Sequence, residues 1–183
     1  MSIVLLGSTS GSCTLQEQAV AGTTVLTLPT VSGTVLTDTS PKAGNVIQVV
    51  NVTFATNTST TSSTRSDTGL SGTITPNFAT SKILCFVNMV GCGKNSGSGT
   101  GPYLAFWLMR SSTDIIKFEG EGGYSANTNT SSFGACSTSF LDSPSTTSAI
   151  TYKVQFSNPA NAGVVAFNNS STVSTITLME IAA

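Results

Sequence analysis

Residues 149–156 read Ala-Ile-Thr-Tyr-Lys-Val-Gln-Phe, and they alternate without a slip. Ile150, Tyr152, Val154 and Phe156 fall on one side of an extended chain, and Thr151, Lys153 and Gln155 fall on the other. A two-residue period of this kind marks a strand with one face in a core and one in water. Working outward, runs of strand length recur at 47–55, 82–90, 103–110, 115–119, 133–141, 164–167 and 173–181, separated by clusters of Gly, Asn, Ser and Pro. No window of eleven or more residues combines good helix formers with apolar positions at helical spacing. The fold class is therefore all-β, with antiparallel strands packed as a sandwich. Between the strands, 57–72 reads as a Ser/Thr-rich mobile loop, 91–95 as a turn at a strand end and 95–101 as a glycine-serine tip.

Two of the runs are apolar on both faces. In 82–90, Ile83, Cys85, Val87 and Met89 form one set and Leu84, Phe86 and Val90 the other; 103–109 does the same around Trp107. A single sandwich should be polar outside, so a second apolar face is expected to be buried against another subunit. Phe86, Phe106 and Trp107 are the expected interface residues. Tyr103, Phe106 and Trp107 could instead form a sugar-stacking surface, although such clusters more often belong to a core or a subunit interface.

Composition narrows the function. Of 183 residues, 7 are Lys or Arg, 8 are Asp or Glu and none is His, for a net charge of −1. Polarity is carried instead by 28 Ser and 30 Thr. With 39% apolar residues and a mean hydropathy of +0.22, the chain is too apolar for disorder and should fold. The cations stand singly, so the basic cluster needed to hold nucleic acid is missing. The opening apolar run, Ile3 to Leu6, is too short for a leader or an anchor, and no later segment reads as membrane-spanning.

Catalytic constellations fail one by one. Without histidine, a Ser-His-Asp or Cys-His arrangement has no proton shuttle, and no SxxK motif supplies the lysine variant. Gly91-Cys92-Gly93-Lys94-Asn95 lacks the spaced first glycine and the hydroxyl residue after lysine that a phosphate loop needs. Glu119 and Glu121 are the one place for a carboxylate pair or a weak cation site, but the glycines at 120, 122 and 123 read as loop. Cys13, Cys85, Cys92 and Cys136 include no CxxC pair and have no histidine to share a zinc with, so free thiols are expected. The five Asn-x-Ser/Thr sequons are what chance gives in a chain so rich in Ser and Thr. Neither enzyme activity, nor a cofactor, nor a metal is expected.

The first forty residues differ in texture. Short apolar triplets sit between Gly, Ser and Thr, and Thr24-Val25-Leu26-Thr27 recurs as Thr34-Val35-Leu36-Thr37. Such a segment has too little apolar surface for its own core. It is expected to be an extended arm, 1–40, ending at Pro41-Lys42-Ala43-Gly44 and ordered by pairing with a partner through Val25, Leu26, Leu28, Val35 and Leu36. Residues 41–183 form the globular domain.

Two passages carry a resemblance. GSTSGSCTLQEQAVAGTTVLTLPTVSGTVLTDTS resembles the arm-like module of many tailed-bacteriophage virion proteins, cyanophage ones especially, with Gln18 where proline is usual. The remainder, with SKILCFVNMVG, GPYLAFWLMRSSTDII, SSFGACSTSFLDSPSTTSAITYKVQF and STITLMEIAA, is similar to the C-terminal domains of phage fibre and capsid-associated proteins. Those domains look like the trimeric jelly roll of the complement globular head and tumour necrosis factor family. The resemblance implies a non-enzymatic homotrimer on the outer surface of the virion, assembled in the host cytoplasm. It fits a capsid decoration or cement protein bound to the major capsid protein. The alternative is a short tail or baseplate fibre that contacts tail or baseplate proteins and a host surface glycan.

Overall fold

The structure is a computed structural model that describes residues 2–6, 10–16, 41–95, 101–124 and 131–183. Among these, regular structure is β apart from a single 3-10 turn at Asn169–Ser171, and every strand pairing is antiparallel. The chain divides into two compact units, 1–35 and 36–183. In the first, β1 (Ser2–Leu6) folds back onto β2 (Ser12–Gln16), pairing Ile3 with Leu15 and Leu5 with Cys13. The start of the expected extended arm is thus a hairpin. The proposed arm contacts Val25, Leu26, Leu28, Val35 and Leu36 lie outside the described residues.

The second unit contains β3 (Val46–Phe54), β4 (Thr58–Thr60), β5 (Ser66–Ile74), β6 (Lys82–Asn95), β7 (Leu104–Arg110), β8 (Thr113–Gly122), β9 (Ser131–Asp142), β10 (Ile150–Ser157), β11 (Val164–Phe167) and β12 (Ser174–Ile181). With the two shortest strands set aside, pairing is nested: β3 with β12, β5 with β10, β6 with β9 and β7 with β8. That is one long hairpin wound up on itself. The β6–β12 and β7–β10 pairs then stitch it into two sheets, β5-β10-β7-β8 and β3-β12-β6-β9. β11 and β4 extend the second sheet beside the far end of β6.

The alternation in β10 does what its sequence demands. Ile150, Tyr152, Val154 and Phe156 are buried and Thr151, Lys153 and Gln155 are not. Phe106, Phe156 and Phe167 meet at the centre with ring centroids 5.2–6.5 Å apart. Each such ring, fully withdrawn from water, is worth about 1.5–3 kcal/mol. One polar tie runs between the sheets and a second holds the loop after β5 to the edge of the β3–β12 pair. Asp142, at the end of β9, accepts both oxygens' worth of bonding from Arg110 Nη1 at 3.0 and 2.8 Å and a bond from the Tyr152 hydroxyl at 2.6 Å. Glu180 on β12 accepts from Gln48 Nε2 at 2.6 Å and from the main-chain N–H of Asn77 at 2.8 Å.

Several readings of the sequence change. Residues 57–72 are not a mobile loop: they supply β4 and most of β5, whose inward positions are Thr68, Leu70, Gly72 and Ile74. A hydroxyl and a glycine in place of two aliphatic residues hide the period. Gly72 is buried because Leu178 and Val52 pack where its Cβ would point. Residues 91–95 continue β6 instead of turning, and β8 runs through Gly122. Gly91 bends β6 at φ +60, where a Cβ would meet the main-chain N and O of Asn169 at 2.7 and 2.8 Å.

Candidate functional site

The two outer faces of the sandwich have opposite chemistry. On β5-β10-β7-β8, the register aligns Asp67, Gln155, Trp107 and Lys117 in one row and Ser71, Lys153, Met109 and Asp114 in the next. Arg65 reaches over this face to Asp114 at 2.7 Å, and Lys153 reaches Asp67 at 2.9 Å. Hydrogen bonds from Lys153 and Gln155 hold the Asp67 carboxyl below the usual carboxylate range. Five of the chain's fifteen charged side chains, Arg65, Asp67, Asp114, Lys117 and Lys153, therefore lie on one face and largely satisfy each other. Exposed pairs of this kind add little stability, and what they do here is keep the face wet.

β7 is buried on both sides, as its sequence requires, but its own chain does the covering. The Arg65 guanidinium carbon sits 4.2 Å from the Trp107 ring centroid and Lys117 Nζ sits 5.2 Å from it. Ala105, Trp107 and Met109 form a small second cluster beneath them. Their aliphatic stems cover the indole while the charges stay in water. Phe106 points the other way, into the main core, and stacks on Phe118 at 5.6 Å with no exposed surface. It has nothing to offer a partner, which removes it from the expected interface. The sugar-stacking trio dissolves in the same way, since Tyr103 instead meets Tyr124 edge-on at 5.6 Å.

The other outer face is uncharged across three successive rows of β3-β12-β6-β9. They read Thr53, Thr175, Asn88, Ser137; then Asn51, Thr177, Phe86, Ser139; then Val49, Met179, Leu84, Leu141. The last row is apolar across all four strands. Val49 is 54% exposed, Leu141 48% and Phe86 43%, while Leu84 and Met179 are half-buried. An open depression of about 450 Å³ lies over Phe86, Asn88, Ser137, Ser139, Thr175 and Thr177. Asn51 Nδ2 donates to Thr177 Oγ1 at 2.7 Å and Ser137 donates to Asn88 at 2.7 Å, so the amides are held flat along the sheet. Of the expected interface residues, Phe86 is the one on this face. The sequence marks it through the doubly apolar run 82–90, whereas Val49, Met179 and Leu141 gather beside Leu84 through strand register alone.

The remaining candidates are structural. Glu119 turns back to accept the main-chain N–H of Gly120 at 2.8 Å and Glu121 at 3.0 Å, and Cys136 Sγ lies 3.7 Å from its other oxygen. Among the described residues no three His, Cys, Asp or Glu side chains are grouped to hold a metal ion. Cys85, Cys92 and Cys136 are buried free thiols, and burial pushes Cys85 up to about 12. No described helix is long and apolar enough to cross a membrane.

No protein-family model matches the chain, and no curated protein matches it. Among solved structures, the chain is similar to the infectious bursal disease virus VP2 subviral particle, with 12% identity and a TM-score of 0.37 over 74% of this chain. The match spans 38% of that viral protein's length.

Proposed function

We propose that the chain is a virion structural protein: a homotrimeric jelly roll that decorates a bacteriophage capsid as a cement protein, on the outer surface of the particle. The observation that carries this reading is the difference between the two faces. A charged, self-paired face suits water. The three uncharged rows, one of them apolar across four strands, suit burial against copies of the same chain, because contact through them, short of Lys82 at the start of β6, strands no ion. The nested pairing of eight strands into two four-stranded sheets is the pairing of a jelly roll, which supports that part of the reading.

The mechanism is mechanical. Val49, Leu84, Phe86, Leu141 and Met179 would close the trimer, leaving the charged faces outward. Residues 1–40 of each copy, with Val25, Leu26, Leu28, Val35 and Leu36 as the contacts, would then bind the major capsid protein. Three weak attachments on one rigid head act as one firm attachment, since the second and third are intramolecular. Deleting residues 1–40 should leave a soluble trimer that no longer decorates capsids; retained capsid binding by the truncated protein would refute this assignment. Electron microscopy of labelled particles distinguishes a shell position from the alternative, a tail or baseplate fibre.

A further inference from the structure

A second hollow, of about 350 Å³, lies at the end of the sandwich where β4, β6, β9 and β11 meet the 169–171 turn. Asn57, Ser59, Lys94, Ser131, Ser132 and Asn169 line it, with Val164 and Ala166 along the β11 side. Among the described residues the lining contains no carboxylate and no aromatic ring. Its size falls at the lower end of the range for small-molecule sites.

This hollow is built and rigid. Asn57 Nδ2 donates to Asn169 Oδ1 at 2.7 Å, and Asn169 Nδ2 donates to the Gly91 carbonyl at 2.8 Å. One residue earlier, the buried Asn168 side chain bonds the Phe54 carbonyl at 2.8 Å and accepts from the Ser174 hydroxyl at 2.6 Å. The turn so clamped holds Asn168, Ser170 and Ser171 at φ 56, 56 and 59, a left-handed conformation that costs a non-glycine residue about 1 kcal/mol or more each. Strain of that kind persists where the surroundings over-determine it, and here the result is a fixed position for Asn169. Gly93 adds a stretch of bare backbone: a Cβ there would come within 3.1 Å of Asn169 Nδ2 and of the Ser131 carbonyl.

We infer that this hollow binds a neutral saccharide unit. Amide and hydroxyl groups both donate and accept, as a polyhydroxylated ring requires on its edge. The hydroxyls of Ser59, Ser131 and Ser132 are exposed, and the Asn57 carbonyl oxygen is left over once its amide nitrogen has bonded Asn169. Val164 and Ala166 supply a patch for the C–H face of such a ring. An acidic ligand is a poorer fit because the lining among the described residues holds a single cation, Lys94, which is 3% exposed. The site is contained in one chain and requires neither the trimer nor the particle. On a decorated capsid it would present a saccharide-binding point on every copy, tethering the particle to polysaccharide surfaces.

The test is saturation-transfer NMR of the full chain with the methyl glycosides of glucose, galactose, mannose and N-acetylglucosamine. At least one should receive saturation, and Ser59→Trp or Ser132→Trp, each at an exposed position on the rim, should weaken binding about tenfold or more. Circular dichroism and oligomeric mass should not change in either variant. Absence of transfer to all of the glycosides overturns the inference, as does unchanged binding in both tryptophan variants. Failure of the full chain to attach to capsids, with saccharide binding intact, would count against the capsid reading alone.

Discussion

Tyr152→Phe removes a single oxygen from the middle of the sandwich and tests the tie between its sheets. The ring stays, so no cavity opens; what disappears is a 2.6 Å bond from a side chain with no exposed surface to the Asp142 carboxylate. Burial, with the Asp142 carboxylate beside it, pushes the Tyr152 hydroxyl above its ordinary range, so it is a proton donor at neutral pH. A hydrogen bond to a charged acceptor is worth about 1.5–3 kcal/mol. Asp142 keeps Arg110 at 2.8 and 3.0 Å, and the Asp142 side chain is only 11% exposed, so water replaces little of the loss. The expected cost is therefore about 2 kcal/mol. Urea unfolding at fixed protein concentration should show a lower midpoint with an unchanged slope. In an Asp142→Asn background the same substitution should cost about 1 kcal/mol less, because the acceptor has lost its charge. A cost below about 0.5 kcal/mol, or equal costs in both backgrounds, would refute the idea that this carboxylate links β9 to β7 and β10.

Three further outcomes follow from the same geometry. Burial alone would push the Glu180 carboxyl up, but bonds from Gln48 and the N–H groups of Asn77 and Phe78 outweigh it and hold the group below 4.5. Its stabilising share is full above that ordinary value and is lost as the pH falls through its lower folded value, so Glu180→Gln should flatten the acid limb of a melting-temperature profile while costing about 1–3 kcal/mol at neutral pH. Gly91→Ala forces a Cβ onto Thr172 and Asn169 at a left-handed φ and should cost about 2–4 kcal/mol by denaturant titration, with the loss concentrated in exchange protection around the 168–172 turn. Cys85, Cys92 and Cys136 should resist alkylation in the native protein and all react once it is unfolded, as mapped by peptide mass spectrometry.

Where inward positions fall on alternate β-branched and aromatic residues, the sequence already marks the strand, as at β10 and β3. β5 escapes notice because Thr68 bonds the Val154 carbonyl at 2.8 Å and Gly72 admits its neighbours, so two of its inward positions look like loop residues. Trp107 misleads for a different reason. Its cover, Arg65, is 42 positions away and belongs to a segment that reads as a loop. The contrast between the two outer faces is invisible in a scatter of single charges and emerges only when register sets Asp67, Lys153 and Asp114 on one sheet and Val49, Met179, Leu84 and Leu141 across the other. The hollow at the end of the sandwich is assembled from several separate strands and a turn, and no local pattern announces it.

The self-association of the uncharged face is most directly tested by light scattering coupled to size exclusion on the purified chain and on a Phe86→Lys, Leu141→Lys variant. Burying the remaining exposed half of Val49, Phe86 and Leu141 is worth about 1 kcal/mol each, and a lysine at two of those positions would put charges into that contact. The account predicts a particle of three times 18.6 kDa for the parent chain and a folded single chain for the variant. A parent chain that runs as a monomer, or a variant that remains a trimer, would contradict it.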